Sequence, residues 1–465
     1  MKIPEKIIRK YKNYNPEIFS KDVEMALTLS KIDKYLENKN LDAATEELIN
    51  TISEIANHHA PLICYKNQKP STYIPWMTKE LSDQIQHKNE LLNDFFISRN
   101  PLIKKSFDEL KNRITSLKRK LKMEWIEQEI IKAGNDPFKL WKLYNYLLNR
   151  EKQVDCIEPD NIDQDKANSF NNFFCTIGKT TTPTPDLDPT LKPPKNFPKL
   201  KFNFQPNSTE SIEKLINNLK ERTATGYDHI DVRLVKDLKK VISPYLSKLI
   251  NLGYQINKFP ICLKIAIIKP IYKAEDHNLI SNYRPIAILP IISKIYERAA
   301  IDQMMNFKIA NNLLTATQHA YQKYHSTVTC LAEIVNHIYK MLDQKLETAI
   351  VKIDLSKAFD TINHQKLIFK LRNLGLDENS LKWIASYLEN RAQKTKFKHF
   401  TSTQEPINTG VPQGSILGPL LFICYTNDLA ENFDEDLCKL FSYADDSTFV
   451  VTGKSPLELK SKIKK

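Results

Sequence analysis

Between Phe441 and Val451 the chain reads FSYADDSTFVV, two apolar β-favouring runs with the adjacent carboxylates Asp445 and Asp446 between them. The flanks call for burial and the acids forbid it, so the segment reads as a hairpin with its charges at the tip. Adjacent acids repel each other unless a cation neutralises them, and oxygen-only ligands select a hard ion such as Mg²⁺. A second apolar run, Ala349-Ile-Val-Lys-Ile-Asp354, delivers one acid to a strand end. A third segment, Gly410-Val-Pro-Gln-Gly-Ser-Ile-Leu-Gly-Pro419, reads as a turn whose backbone can approach a ligand closely. An Asp-Asp pair taken alone reads first as a surface turn. With Asp354 it becomes a set of three oxygen donors, the standard means of holding two Mg²⁺ ions for in-line nucleotidyl transfer. One ion activates a 3′-hydroxyl and the other stabilises the leaving pyrophosphate.

At 465 residues the chain exceeds one typical core, so two or three domains are expected. Six prolines (183, 185, 189, 193, 194 and 198) predict an extended linker. This gives a basic, helical extension over 1–177, a Pro-rich linker over 178–205 and an α+β domain over 206–465. In the extension, helix-like stretches run from Asp42 to Ala56 and from Met77 to Ile97. Asn100 is placed to cap a further helix with Pro101 at its first position, and Gly134 and Pro137 close it. From Arg99 to Met123 that helix carries nine basic and two acidic residues. A solvated face, a phosphate-facing surface and a short coiled-coil seam all fit the pattern. In the α+β domain, helices are expected at Ser211–Lys220 and Val235–Asn257. β runs are expected at 265–271 and 349–353 and around 394–400 and 449–451.

The formal net charge of +13 favours a polyanionic partner. The seven cysteines include no C-x-x-C pair, which argues against a zinc site or a disulfide framework and suits a reducing, intracellular compartment. The first residues lack the apolar core of a secretion signal, and the longest apolar stretches are too short to span a bilayer, so no membrane is expected as partner.

An ordered series of motifs resembles the reverse transcriptases of non-LTR retrotransposons. KERTATGYD (220–228), KPIYK (269–273), SNYRPI (281–286), SKIYE (293–297), QHAYQKYHST (318–327), VKIDLSKAFDTINH (351–364), SYLENR (386–391), GVPQGSILGPLLF (410–422) and YADD (443–446) occur in the family's order. The likeness spans about 70–465 and is strongest over about 220–450. The resemblance implies a right-hand polymerase with fingers and palm. Asp354, Asp445 and Asp446 would be its catalytic, metal-binding triad, with the Leu355 carbonyl as a further ligand of two Mg²⁺ ions. It implies nucleotide contacts from Lys273, Arg284, Gln413 and Gly414, an aromatic gate against 2′-hydroxyls at Phe359, and Tyr443 beneath the primer terminus. RNA template, DNA primer and deoxynucleoside triphosphates would be the partners, in the nucleus or cytoplasm. Two departures stand out. After Gln318 the family usually has Phe-Gly-Phe/Tyr, whereas this chain has His319, Ala320 and Tyr321. Only 14 residues follow Val451, so the later palm motifs and a helical thumb are expected to be missing. A catalytically inactive nucleic-acid-binding remnant is the alternative.

Overall fold

The computed structural model of the chain describes residues 5–66, 74–148, 163–181, 201–273, 275–355, 357–433 and 438–464. The chain divides into two compact units, one formed by residues 1–6 and 64–159, the other by 7–63 and 160–465.

Strand β1 (Glu5–Arg9), helices α1 (Pro16–Leu29), α2 (Ile32–Glu37) and α3 (Leu41–His59), and strand β2 (Leu62–Lys66) come first. The smaller unit contributes α4 (Lys79–Ser98), α5 (Pro101–Ala133) and α6 (Pro137–Leu147). Their ends fall where the capping chemistry puts them. Thr78, Asn100 and Asp136 each accept a backbone N–H of the first turn, and Gly134 ends α5 at a φ of 52°.

The larger unit continues with α7 (Gln164–Thr181), α8 (Thr209–Asn217), α9 (Val232–Asp237) and α10 (Lys239–Gln255). The single helix expected over 235–257 is thus two, meeting at Leu238, because Asp231 caps a short helix of its own by accepting from Leu234 N. Then follow β3 (Ile265–Tyr272), β4 (Tyr283–Ile288), α11 (Ile291–Ala310), α12 (Thr327–Asp343), β5 (Glu347–Asp354), α13 (His364–Asn373) and α14 (Glu378–Leu388). β6 (Arg391–Phe397), β7 (Phe400–Thr401), β8 (Glu405–Ile407), α15 (Leu417–Tyr425), β9 (Cys438–Tyr443), β10 (Asp446–Gly453) and α16 (Pro456–Ile463) complete it. Strands and helices intermix as an α+β fold requires. One sheet has the order β5-β10-β9; the other runs β4-β3-β6-β7, with β8 also on β6.

The boundary expected at 177/178 is not where the chain divides. Phe19, Leu48 and Ile52 of α1 and α3 lie in one core with Ile250, Tyr296, Trp383 and Phe422. Phe170, Phe174 and Ile177, spaced along one face of α7, cover the second sheet at Ile268, Tyr283 and Phe397. An apolar helix face has to be buried, and here the surface that buries it lies far along the chain. Most of the Pro-rich segment lies outside the described residues. Among those described, no helix is long and apolar enough to cross a membrane.

Candidate active site

The acid hairpin forms as its composition dictates. Tyr443 and Asp446 are register partners, so Ala444 and Asp445 are the two-residue loop between β9 and β10. β10 also pairs antiparallel with β5, in a register that sets Asp446 opposite Asp354. Directly opposed residues project from the same face of a sheet with Cβ atoms ~5 Å apart. Asp354 and Asp446 are exposed and Asp445 is half-buried.

The donor chemistry fits a hard divalent cation, with three carboxylates at one end of one sheet and no hydrogen bond or ion pair to any of them among the described residues. The side chains do not converge as they stand. Among the described residues, no three Asp, Glu, His or Cys groups come close enough to enclose a metal. Like charges directly opposite on a sheet are destabilising unless a cation counters them.

A clamp on the hairpin was not legible from the sequence. Ala444 sits in the left-handed region, at a φ of 57°, which costs a residue with a Cβ ~1–2 kcal/mol. The Gln318 carboxamide holds it from both sides: Oε1 accepts from Ala444 N at 2.9 Å, and Nε2 donates to Ala444 O at 3.2 Å. Gln318 is 5% exposed. Its own segment runs beside β9, where Ser442 N donates to Thr317 O and His319 N to Ser442 O, each at 2.8 Å. Gln318 stands inside a recognised motif, but nothing in that motif says that its amide grips the turn. At the departure from the family's pattern, Ala320 is not among the positive-φ residues, whereas Tyr321 is, at 57°. Burial raises the Tyr321 phenol above its usual range, and the nearby Asp445 charge raises it further.

The Gly/Pro turn, expected to approach a ligand, approaches the chain's own backbone. Gly410 N donates to Ile362 O at 2.9 Å and Val411 N to Phe359 O at 2.8 Å. A Cβ on Gly410 would stand 2.7 Å from the Phe359 and Asp360 carbonyl oxygens. Gly414, at a φ of 121°, leaves a Cβ only 2.4 Å from Ala287 O, and Ala287 N donates to Gln413 O at 2.7 Å. The turn is therefore locked onto β4, the strand that carries Arg284. Glu297, fully buried on α11, accepts from Ile416 N and Leu417 N, and so caps α15, whose own N-cap residue offers no side-chain bond. Burial raises the Glu297 carboxyl above the usual range.

The remaining expected residues fall into two groups. Gln413 Nε2 donates to Asp360 Oδ2 at 2.6 Å, and the Phe359 ring stacks on Phe422 at 4.9 Å. Burial pushes the Asp360 carboxyl up to about 7, against the downward pull of Lys357 and the Gln413 hydrogen bond. Arg284 on β4 and Lys273 just past β3 are both exposed. Arg284 opposes Ile271 across the β3–β4 pair, and Lys273 N donates to Asn282 O at 2.9 Å, so the hairpin presents both cations.

Residues 271–464 match the family described as reverse transcriptase (RNA-dependent DNA polymerase). The chain is similar to the "Probable RNA-directed DNA polymerase from transposon BS" of Drosophila melanogaster, at 26% identity over 81% of this chain and 43% of that protein. It is similar to the "RNA-directed DNA polymerase from mobile element jockey" of Drosophila melanogaster, at 28% identity over 54% of this chain and 28% of that protein. A third relative, the "Probable RNA-directed DNA polymerase from transposon X-element" of the same species, is 25% identical over 90% of this chain and 46% of that protein. The chain thus spans less than half the length of these relatives.

Proposed function

We propose that this chain, a relative of non-LTR retrotransposon polymerases with a reverse transcriptase domain over residues 271–464, carries out RNA-templated transfer of deoxynucleotides to a DNA primer 3′-hydroxyl. The observation that carries the reading is the register that opposes Asp354 to Asp446 with Asp445 in the adjoining loop.

In this reading the β5-β10-β9 sheet is the palm and the β3–β4 hairpin belongs to the fingers. Two Mg²⁺ ions, bound by Asp354, Asp445, Asp446 and the Leu355 carbonyl, would supply activation of the 3′-hydroxyl and stabilisation of the leaving pyrophosphate. The protein's own part is placement. Arg284 and Lys273 hold the triphosphate, the guanidinium by paired hydrogen bonds and the ammonium as a point charge. Phe359, backed by Phe422, is a fixed wall against a 2′-hydroxyl. Gln413 and Gly414 are held on β4 beside that wall, and Tyr443 at the end of β9 supports the primer terminus. Gln318 keeps the acid-bearing loop in its strained shape, so little reorganisation is needed when charge develops. RNA template, primer and nucleotides are the partners in this account, within the cell.

Primer extension on poly(rA)–oligo(dT) with Mg²⁺, comparing the wild-type chain with Asp445→Asn, tests it. The expected result is incorporation by the wild type and at least a ~100-fold loss in the variant. Equal incorporation by both overturns the assignment of Asp445. Nucleic-acid binding without incorporation, even with the C-terminal part of a relative appended, would leave only a binding role.

A further inference from the structure

The smaller unit takes no part in the chemistry above, yet its surface combines two features. The first is a lysine row. Lys104, Lys111, Lys118 and Lys122 of α5 stand 7, 7 and 4 residues apart, spacings that return to nearly the same side of a helix. They mark out ~27 Å of one face. Lys104 and Lys111 are exposed, as is Lys122. Lys104 lies 3.9 Å from Asp108, while Lys111 and Lys122 have no ion pair among the described residues.

The second feature is an aromatic platform on α6. No residue of α6 is buried, although the helix carries Phe138, Leu140, Trp141, Tyr144 and Tyr146. Trp141 is 58% exposed and stacks on Tyr144 with ring centroids 5.2 Å apart. The two features adjoin, because Trp125, three residues beyond Lys122 on α5, meets Tyr146 of α6 edge-on at 5.2 Å. Lys139 and Lys142 of α6 are exposed beside the rings.

We propose that α5 and α6 form a binding site for single-stranded nucleic acid, its phosphates tracking the lysine row and its bases stacking from Trp141 outward. An apolar partner would gain from the rings but would leave the lysines unused. A duplex would answer the lysines, but its paired bases are not free to stack on the rings. A single strand uses both, since every base offers a flat apolar face and every linkage a charge. The site lies outside the reverse transcriptase domain and does not rest on the polymerase reading.

The test is fluorescence anisotropy of the full chain with labelled oligouridine RNA and oligothymidine DNA of equal length, across a salt series. Trp141→Ala is expected to weaken binding at least ~5-fold. Lys111→Glu with Lys118→Glu should flatten the log–log salt slope by ~1.4, or ~0.7 per lost phosphate contact on a single strand. Trp141→Phe should keep the affinity while losing part of the tryptophan quenching, which a purely structural role would not produce. Selective loss on RNA, or on DNA, supports the site and names its ligand. Wild-type affinity and slope in both variants would overturn it. So would Trp141→Ala abolishing self-association in light scattering while leaving oligomer binding intact. Binding is read without deoxynucleotides, so a failure here is separate from failure of the polymerase assignment, which only incorporation reads.

Discussion

The carboxylate tip and the Gly/Pro turn belong to the same larger unit, and they are built on opposite terms. At the tip, Asp354 and Asp446 are exposed and oppose each other, with no ion pair to either among the described residues. At the turn, Gly410 and Gly414 leave no space for a Cβ, and Gln413 is bonded through both its backbone and its side chain. One region presents carboxylates with no ion pair among the described residues. The other is fixed by the protein's own backbone. A site that binds charge needs the first, and the second supplies the rigidity against which it works.

Breaking the tip should cost activity and spare the fold. Asp354→Asn is expected to lower incorporation by at least ~100-fold. The same change should raise stability at low salt by ~0.2–1 kcal/mol, because it removes a like-charge pair directly opposite on the sheet. Primer extension and thermal melts on one sample check both. A parallel loss of activity and stability would show that the acids are structural.

Breaking the turn should cost the fold. Gly414→Ala places a methyl 2.4 Å from Ala287 O at a φ of 121°, so a loss of ~3 kcal/mol or more is expected in urea unfolding. A wild-type midpoint would mean that β4 and the turn separate easily.

Asp360 sharpens the comparison through pH. Its folded value of about 7 lies above the ordinary 3.8. The stability it contributes is therefore complete below about pH 4 and is lost as pH rises through about 7. Between pH 5 and 7 the chain should lose ~2–3 kcal/mol from this group. Asp360→Asn should flatten that part of the profile, and an unchanged profile would show that Asp360 is not the group responsible.

Gln318→Ala tests how far the tip depends on its clamp. The smallest stability loss belongs here, ~1–2 kcal/mol, from a buried amide that no longer bonds Ala444. Activity should fall by more than that loss explains. Adding Ala444→Gly should restore part of it by removing the backbone strain. Additive losses in the double variant would count against the clamp.

Much of this was legible residue by residue. The hairpin was written in FSYADDSTFVV, the ends of α5 in Asn100, Pro101 and Gly134, and the strand that carries Asp354 in its apolar run. These are local patterns: alternation, capping and turn chemistry act over a few residues, and a sequence displays them directly. What α7 packs against was not legible, because its phenylalanines answer to strands far along the chain.

What the sequence by itself determined is which residues could carry charge at a strand end and which family pattern they follow. Only the tertiary structure decided that Asp446 faces Asp354, that Gln318 grips Ala444, and that Gln413 is bonded to Asp360. The reason is physical. Register between distant strands, and the partner of a buried amide, follow from how remote apolar faces pack together, and no short stretch of chain contains that information.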